Sequence, residues 1–272
     1  MVRALLGLAV AASLAGAPAS AEPWQLERSD VQTVQVDHGA AYRLLVAWPE
    51  GEPPAKGWPV LWVLDGEDNF AIAAMTARRL AAAGARSGIE PGLVVGVDSG
   101  SLVQRVLDYT PAVEGYSIPQ GMPAHGLALG GADAFLDLLE GPLRSRVTDR
   151  WPVDPQRQTL LGHSFGGLLS LHALNSGRSF SGYVAASPSL WYGDGKAAEW
   201  FTSARPGAHL LLVAGTAERN LGASVKTQAL AERLQALGGA VHHLTLEGLG
   251  HGSTMLAAIG PAIEAAFGRD AQ

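Results

Sequence analysis

Two uninterrupted apolar runs, Pro59-Val-Leu-Trp-Val-Leu64 and Gly92-Leu-Val-Val-Gly-Val97, constrain this chain more than any other feature. Each is short for a buried helix, and neither has the polar alternation of a strand with one wet face. Runs of this kind suit strands covered on both sides, as in a parallel sheet held between helices. The rest of the chain fits that frame. Helical periodicity covers residues 68–83, 133–150, 166–174, 225–237 and 255–267, and further strand-like runs occupy 158–161, 182–186, 209–214 and 241–246. Ahead of them, 31–36 and 42–48 read as a hairpin, followed by a Pro/Gly-rich loop at 49–57. The expected fold is an α/β three-layer sandwich with a mostly parallel central sheet and an antiparallel N-terminal hairpin. Residues 98–131 carry turn residues throughout and read as one long irregular connection, a length that in compact domains is usually functional or disordered. Gly126, Gly130 and Gly131 within it lack dinucleotide-binding spacing and do not directly follow a strand.

The first 21 residues stand apart. Arg3 is their only charge, an apolar run follows from Ala4 to Ala15, and Ala19-Ser20-Ala21 offers a small-residue cleavage site, the pattern of a secretory signal peptide. An uncleaved anchor is the competing reading, although the run is short for a bilayer. The expectation is therefore a signal at 1–21 and one domain at 22–272, exported to the periplasm, with no stable membrane insertion after cleavage.

Composition removes several chemistries. With 25 acidic against 19 basic residues the net charge is -6, and no basic run exists to serve as a nucleic-acid arm. Cysteine is absent, which excludes thiol nucleophiles, disulfides and Cys-ligated zinc. No cofactor or metal is called for. Covalent catalysis, if present, must use another side chain.

Gly162-His163-Ser164-Phe165-Gly166 supplies one. In a chain with 34 glycines the bare G-x-S-x-G pattern says little, but here a strand-like run precedes it and a helical run follows. A sharp strand-to-helix turn would hold Ser164 in a strained conformation at the carboxyl edge of the sheet, with side chains at positions 162 and 166 excluded by collision. A serine hydroxyl needs a base, and in this chain order the acid and then the histidine come later. Of the eight histidines, His251 alone follows the last strand in a flexible-looking Gly-rich loop before the final helix. His242 and His243 lie inside that strand, His163 inside the turn and His172 on the helix, where structural or surface roles suit them. A carboxylate should follow the penultimate strand. Glu218 is so placed, with Asp194 and Glu247 as rivals and a surface pair with Arg219 as the ordinary alternative. An oxyanion hole would draw on Phe165 N–H and on the turn Asp65-Gly66-Glu67-Asp68, through Gly66 and Glu67, although Asp68 could equally be a plain N-cap there.

Several further segments carry a resemblance. Trp62-Val-Leu-Asp-Gly66, Arg105-Val-Leu-Asp-Tyr-Thr-Pro111, Gly130-Gly-Ala-Asp-Ala-Phe135, Gly162-His-Ser-Phe-Gly-Gly-Leu168, Ala186-Ser-Pro-Ser-Leu-Trp191 and Gly250-His-Gly252 resemble an esterase family of the α/β-hydrolases. They are most similar to its branch of exported esterases that open the trilactone of enterobactin and salmochelin. The resemblance implies Ser164 as nucleophile, His251 as base and Arg105 as a substrate-binding cation. It implies a small-molecule partner, a ferric or iron-free catecholate siderophore, cleaved through an acyl-enzyme. Some members of that branch work with a Ser-His pair and no strong acid, so it leaves Glu218 open. A cation near the sheet edge would help a net-acidic protein hold an anionic siderophore. The ordinary reading of Arg105 is an ion pair with Asp108. Two other functions remain in view: an exported esterase for feruloyl, acetyl or other aryl and sugar esters, and a siderophore-binding module without catalysis.

Overall fold

The computed structural model describes residues 23–36, 40–202, 207–218 and 223–269, so the expected signal at 1–21 lies outside the described residues. Eight strands form one sheet in the order β1-β2-β4-β3-β5-β6-β7-β8. β1 (Ser29–Gln35) and β2 (Ala41–Ala47) make the expected antiparallel hairpin, and β2 also runs antiparallel to β4 (Leu93–Asp98). From β4 onward through β3 (Trp58–Leu64), β5 (Val153–His163), β6 (Gly182–Ala186), β7 (His209–Gly215) and β8 (Ala240–Leu246), every pairing is parallel.

β3 is buried along its whole length, which is why its sequence shows no alternation. The alternation lies instead in which layer each side chain enters. Val60, Trp62 and Leu64 pack with Leu168 and Leu171 of α5 (Phe165–Asn175), Val106 and Tyr109 of α2 (Leu102–Tyr109) and Phe135 of α3 (Ala132–Leu138). Leu61 and Val63 point the other way, onto Phe70 and Ala73 of α1 (Gly66–Ala82) and Ile259 and Ile263 of α8 (His251–Phe267). The sandwich is thus sealed by α1 and α8 on one face and by α2, α3, α5 and α7 (Ala223–Ala236) on the other. Trp62 Nε1 donates to Gln158 Oε1 at 3.0 Å, so this buried indole N–H is satisfied within the sheet.

Three expectations are corrected. The stretch 98–131 is not wholly irregular, because α2 lies inside it, started by Ser101, whose Oγ accepts from Gln104 N at 3.2 Å. The helix expected at 133–150 is three pieces: α3, a π-type turn at Leu139–Leu143 and α4 (Arg144–Thr148). Pro142, which cannot donate a backbone hydrogen bond, sits in the π-type turn and accounts for the break. Helix α1 begins earlier than expected. Its N-cap is Asp65, and Asp68 is already helical.

The chain leaves β3 for β4 on one side and then returns to pair β5 on the other. In such sheets the crevice beyond the carboxyl ends of the two strands flanking the reversal is where ligands bind. Here those strands are β3 and β5, which end in the Asp65 and Ser164 turns. α6 (Ala197–Trp200) completes the helices among the described residues.

Candidate active site

Ser164 adopts φ 59°, ψ −116°, a conformation costly for any residue with a Cβ. It is held by its own backbone: its N–H donates to Ala186 O at 3.0 Å, and its carbonyl accepts from Leu168 N and Ser189 N, both at 3.0 Å. The two glycines of the turn differ. A Cβ on Gly162 would lie 2.1 Å from Gly166 O, whereas one on Gly166 would meet only ordinary contacts with Leu64 and Tyr109. The constraint is therefore on position 162, and Gly166 matters through its backbone. Because the Ser164 carbonyl points into α5, the N–H of the same trans peptide, that of Phe165, points out of the helix end, where no helical acceptor exists.

The turn after β3 repeats the arrangement. Asp65 sits in the left-handed region at φ 55°, ψ 54°, and its carbonyl accepts from Asp68 N and Asn69 N, both at 3.2 Å, and from Asn69 Nδ2 at 3.1 Å. Gly66 N–H is thereby turned out of the amino end of α1. A Cβ on Gly66 would lie 2.9 Å from the backbone of Gly96, so glycine is required by the approach of α1 to β4. Glu67 departs from its expected role. Its N–H donates to Asp98 Oδ2 at 3.3 Å and its carboxylate pairs with Arg43, which leaves Phe165 and Gly66 as the outward-facing donors.

His251 is the first residue of α8 and not part of a flexible loop. Its Nδ1 is 2.8 Å from Glu218 Oε2. Glu218 is 8% exposed, and its Oε1 accepts from Gly215 N and Thr254 Oγ1, each at 3.0 Å, and from Ser187 Oγ. Burial would raise this carboxyl, but the donors from His251, Ser187 and Gly215 outweigh it and hold it at about 2. The ionised carboxylate fixes His251 with Nδ1 as donor and Nε2 as the nitrogen able to take a proton. Ser164 Oγ is 3.3 Å from Ser189 Oγ, and Ser189, Glu218 and His251 line one hollow with Ser187 and Trp191. His163 packs its ring 4.5 Å from that of His251, with its Nε2 2.8 Å from His251 O. Burial first, then the neighbouring His251, push His163 down to about 4, so it is neutral. Of the rival carboxylates, Glu247 accepts from Thr216 Oγ1.

Arg105 is in place but engaged. Its Nε and Nη2 bind Asp65 Oδ1 and Oδ2 at 2.5 and 2.8 Å, and Nη2 is 3.5 Å from His163 O. Asp108 is not its partner. That carboxylate is buried, and it accepts instead from Tyr42, Ser99 and Gln104. The other histidines weighed as bases lie elsewhere, His172 against Asp133 at 2.8 Å and His242 and His243 on β8.

A hydroxyl at a strained turn, an imidazole oriented by a carboxylate and two outward N–H groups form a set suited to acyl transfer. The sequence matches the family described as "Putative esterase" over residues 38–246. The chain belongs to this esterase family. The chain is 36% identical over 182 residues to the siderophore triacetylfusarinine C esterase of Aspergillus fumigatus, covering 62% of its own length and 59% of that protein. It is 31% identical over 191 residues to the apo-salmochelin esterase of Escherichia coli, covering 67% and 58%. The matched region thus spans under two thirds of the length of these curated relatives. Among solved structures, the siderophore hydrolase EstA of Aspergillus nidulans superposes with a TM-score of 0.77 at 26% identity, covering 90% of this chain and 96% of that one.

Sequence reasoning gave no role to Ser187, Ser189 or Thr254, which serve Glu218 and Ser164. The signal was present, since both serines lie in the Ser-Pro-Ser segment after β6. Among the described residues no group of three or more His, Asp or Glu is placed to hold a metal ion, and no helix is long and apolar enough to cross a membrane.

Proposed function

We propose that this esterase hydrolyses ester bonds of a siderophore through an acyl-Ser164 intermediate. The observation that carries the reading is the 2.8 Å contact between Glu218 Oε2 and His251 Nδ1, because a buried carboxylate on that nitrogen reserves the other for proton transfer. As Ser164 Oγ attacks the ester carbonyl, His251 Nε2 takes its proton and Phe165 and Gly66 N–H receive the oxyanion. His251 then returns the proton to the departing alkoxide, and water, activated by the same nitrogen, releases the acid and restores Ser164. Glu218 makes this a triad and not a pair.

Siderophore esters are favoured as substrates by the relatives named above, one acting on triacetylfusarinine C and one on apo-salmochelin. Export through the signal at 1–21 belongs to the same proposal and would place the enzyme in the periplasm, where siderophores pass. The test is labelling of Ser164 by a fluorophosphonate, followed by mass spectrometry of products from enterobactin, triacetylfusarinine C and feruloyl or acetyl esters. Labelling with siderophore cleavage supports the reading. Cleavage of feruloyl or acetyl esters alone moves it to the aryl-ester class, and absence of labelling with retained siderophore binding makes the protein a binding module.

A further inference from the structure

The cation that the resemblance assigns to the substrate is already gripped by Asp65, and its contacts describe a different task. We infer that Arg105, together with Tyr109, is a positioning residue that fixes the peptide between Asp65 and Gly66, so that Gly66 N–H faces the reacting oxygen; the inference rests on the esterase reading above.

Asp65 is a non-glycine residue in the left-handed region, and its ψ sets the plane of the peptide that carries Gly66 N–H. Every polar group of Asp65 is tied. Its N–H donates to Tyr109 Oη at 3.2 Å, its carbonyl serves Asp68 and Asn69, and its carboxylate is gripped on both oxygens by the guanidinium. A bidentate fork of this kind restricts the torsion as well as the distance. The guanidinium carbon lies 5.2 Å from the centroid of the Tyr109 ring, and the two charged side chains are only 22% and 13% exposed. Arg105 also reaches His163 O at 3.5 Å, so one side chain spans the two turns that supply the two outward donors. Helix α2, which carries Arg105 and Tyr109, is itself anchored through Asp108 to Tyr42 of β2 and to Ser99 just beyond β4. The line of contacts runs from the sheet edge through α2 to Asp65 and ends at Gly66.

The surroundings argue against anion reading by this arginine. It lines a hollow of about 280 Å³ together with Asp65, Glu67, Asp68 and Asp98, and it is the one cation among the residues forming that hollow. With Asp65 neutralising it, no positive charge among those residues is left to select an anion.

The experiment compares Arg105→Ala, Arg105→Lys, Asp65→Asn and the Arg105→Ala/Asp65→Asn double variant on p-nitrophenyl acetate, which is small and uncharged, and on ferric enterobactin, which is an anion. For a positioning role, Arg105→Ala lowers kcat on p-nitrophenyl acetate by roughly 30- to 100-fold with KM changed less than about threefold, because an oxyanion contact acts in the transition state. The siderophore loses the same factor, and the double variant is no more than about threefold worse than the worse single one. Arg105→Lys keeps the charge without the fork, takes the place of the alanine variant if that one fails to fold, and stays impaired by about tenfold on both substrates. A loss confined to siderophore KM, with kcat on p-nitrophenyl acetate intact and Arg105→Lys near the parent, overturns the inference. A crystal structure of a variant decides independently of activity: Asp65 should leave the left-handed region, and an unchanged Asp65 backbone overturns the inference. A parent enzyme that is inert to fluorophosphonate and to every ester defeats the esterase reading instead, and that crystal structure still judges the brace.

Discussion

The two ends of the central strands treat a positive φ in opposite ways. At the amino ends, left-handed backbone falls to glycine, with Gly57 at φ 94° just before β3 and Gly207 at φ 80° two residues before β7. At the carboxyl ends of the neighbouring strands β3, β5 and β6 it falls to Asp65, Ser164 and Ser187, at φ 55°, 59° and 43°. Each costs about 1 to 3 kcal/mol, which glycine would largely avoid. The difference lies in what surrounds the residue. Gly57 is glycine because a Cβ there would lie 2.4 Å from the Val153 carbonyl carbon. The three polar residues have room for a side chain and have donors or acceptors that offset the strain. Ser187, for example, donates its N–H to Val213 O at 2.7 Å and its hydroxyl to Glu218. At these central strands one end is built for closure of the chain and the other for chemistry.

That contrast can be tested by substitution at both ends. The largest effect is expected for Ser164→Ala, with ester hydrolysis falling by about 10⁴ or more while the circular dichroism spectrum is unchanged. His251→Ala should match it, and combining the two should add little, as measured by kcat/KM. Glu218→Gln should cost about 10- to 100-fold, since the imidazole loses its orienting charge but the donors around it keep a partner. At the opposite end Gly57→Ala should lower unfolding free energy in urea by about 2 to 4 kcal/mol through the clash and the positive φ, with kcat near the parent value on the protein that remains folded.

Acid should affect stability in two stages. His163 is pushed down to about 4 from an ordinary 6.5, so its contribution is complete above pH 6.5 and fades as pH falls toward 4. Glu218 is held at about 2 from an ordinary 4.5, so its contribution is complete above pH 4.5 and is lost as pH falls toward 2. Urea midpoints measured from pH 7 downward should therefore drop first in the His163 window, and His163→Gln should flatten that first limb alone. The smallest effect sharpens the comparison most. Ser164→Gly should be inactive yet more stable than Ser164→Ala by about 1 kcal/mol, because glycine relieves the left-handed strain that alanine retains. Equal melting curves for the two would mean the elbow is not strained.

Sequence reading reached the sheet, the hairpin, the strand-to-helix turn at Ser164 and the positions of Glu218 and His251 after β7 and β8, because those features rest on local pattern: apolar runs, a turn between a strand and a helix, a loop after a strand. It missed α2 because that short helix exposes Leu102 and Val103 while burying Asp108 beside Val106 and Tyr109. Asp108 and Tyr109 are buried there by hydrogen bonds to residues dozens of positions away, which periodicity of apolar residues does not register. The same limit produced the wrong partner for Arg105. Asp108 lies three residues along the chain and is visible in the sequence, whereas Asp65 lies 40 residues away and meets Arg105 only through the topology that sets α2 beside the end of β3. The break at Pro142 was legible in principle, since a proline inside a helical pattern marks an interruption.

Glu218 has one further consequence, for anyone wishing to turn this enzyme into a capture reagent. Its Oε1 gathers donors from the loop after β6, the end of β7 and the first turn of α8, so three separate segments are knotted at a single oxygen. Removing that carboxylate to silence turnover would also loosen the seams between those segments and blur the cleft that is meant to hold the ligand. An inert form that still grips its substrate is better made at Ser164, where a single oxygen leaves and the knot stays tied.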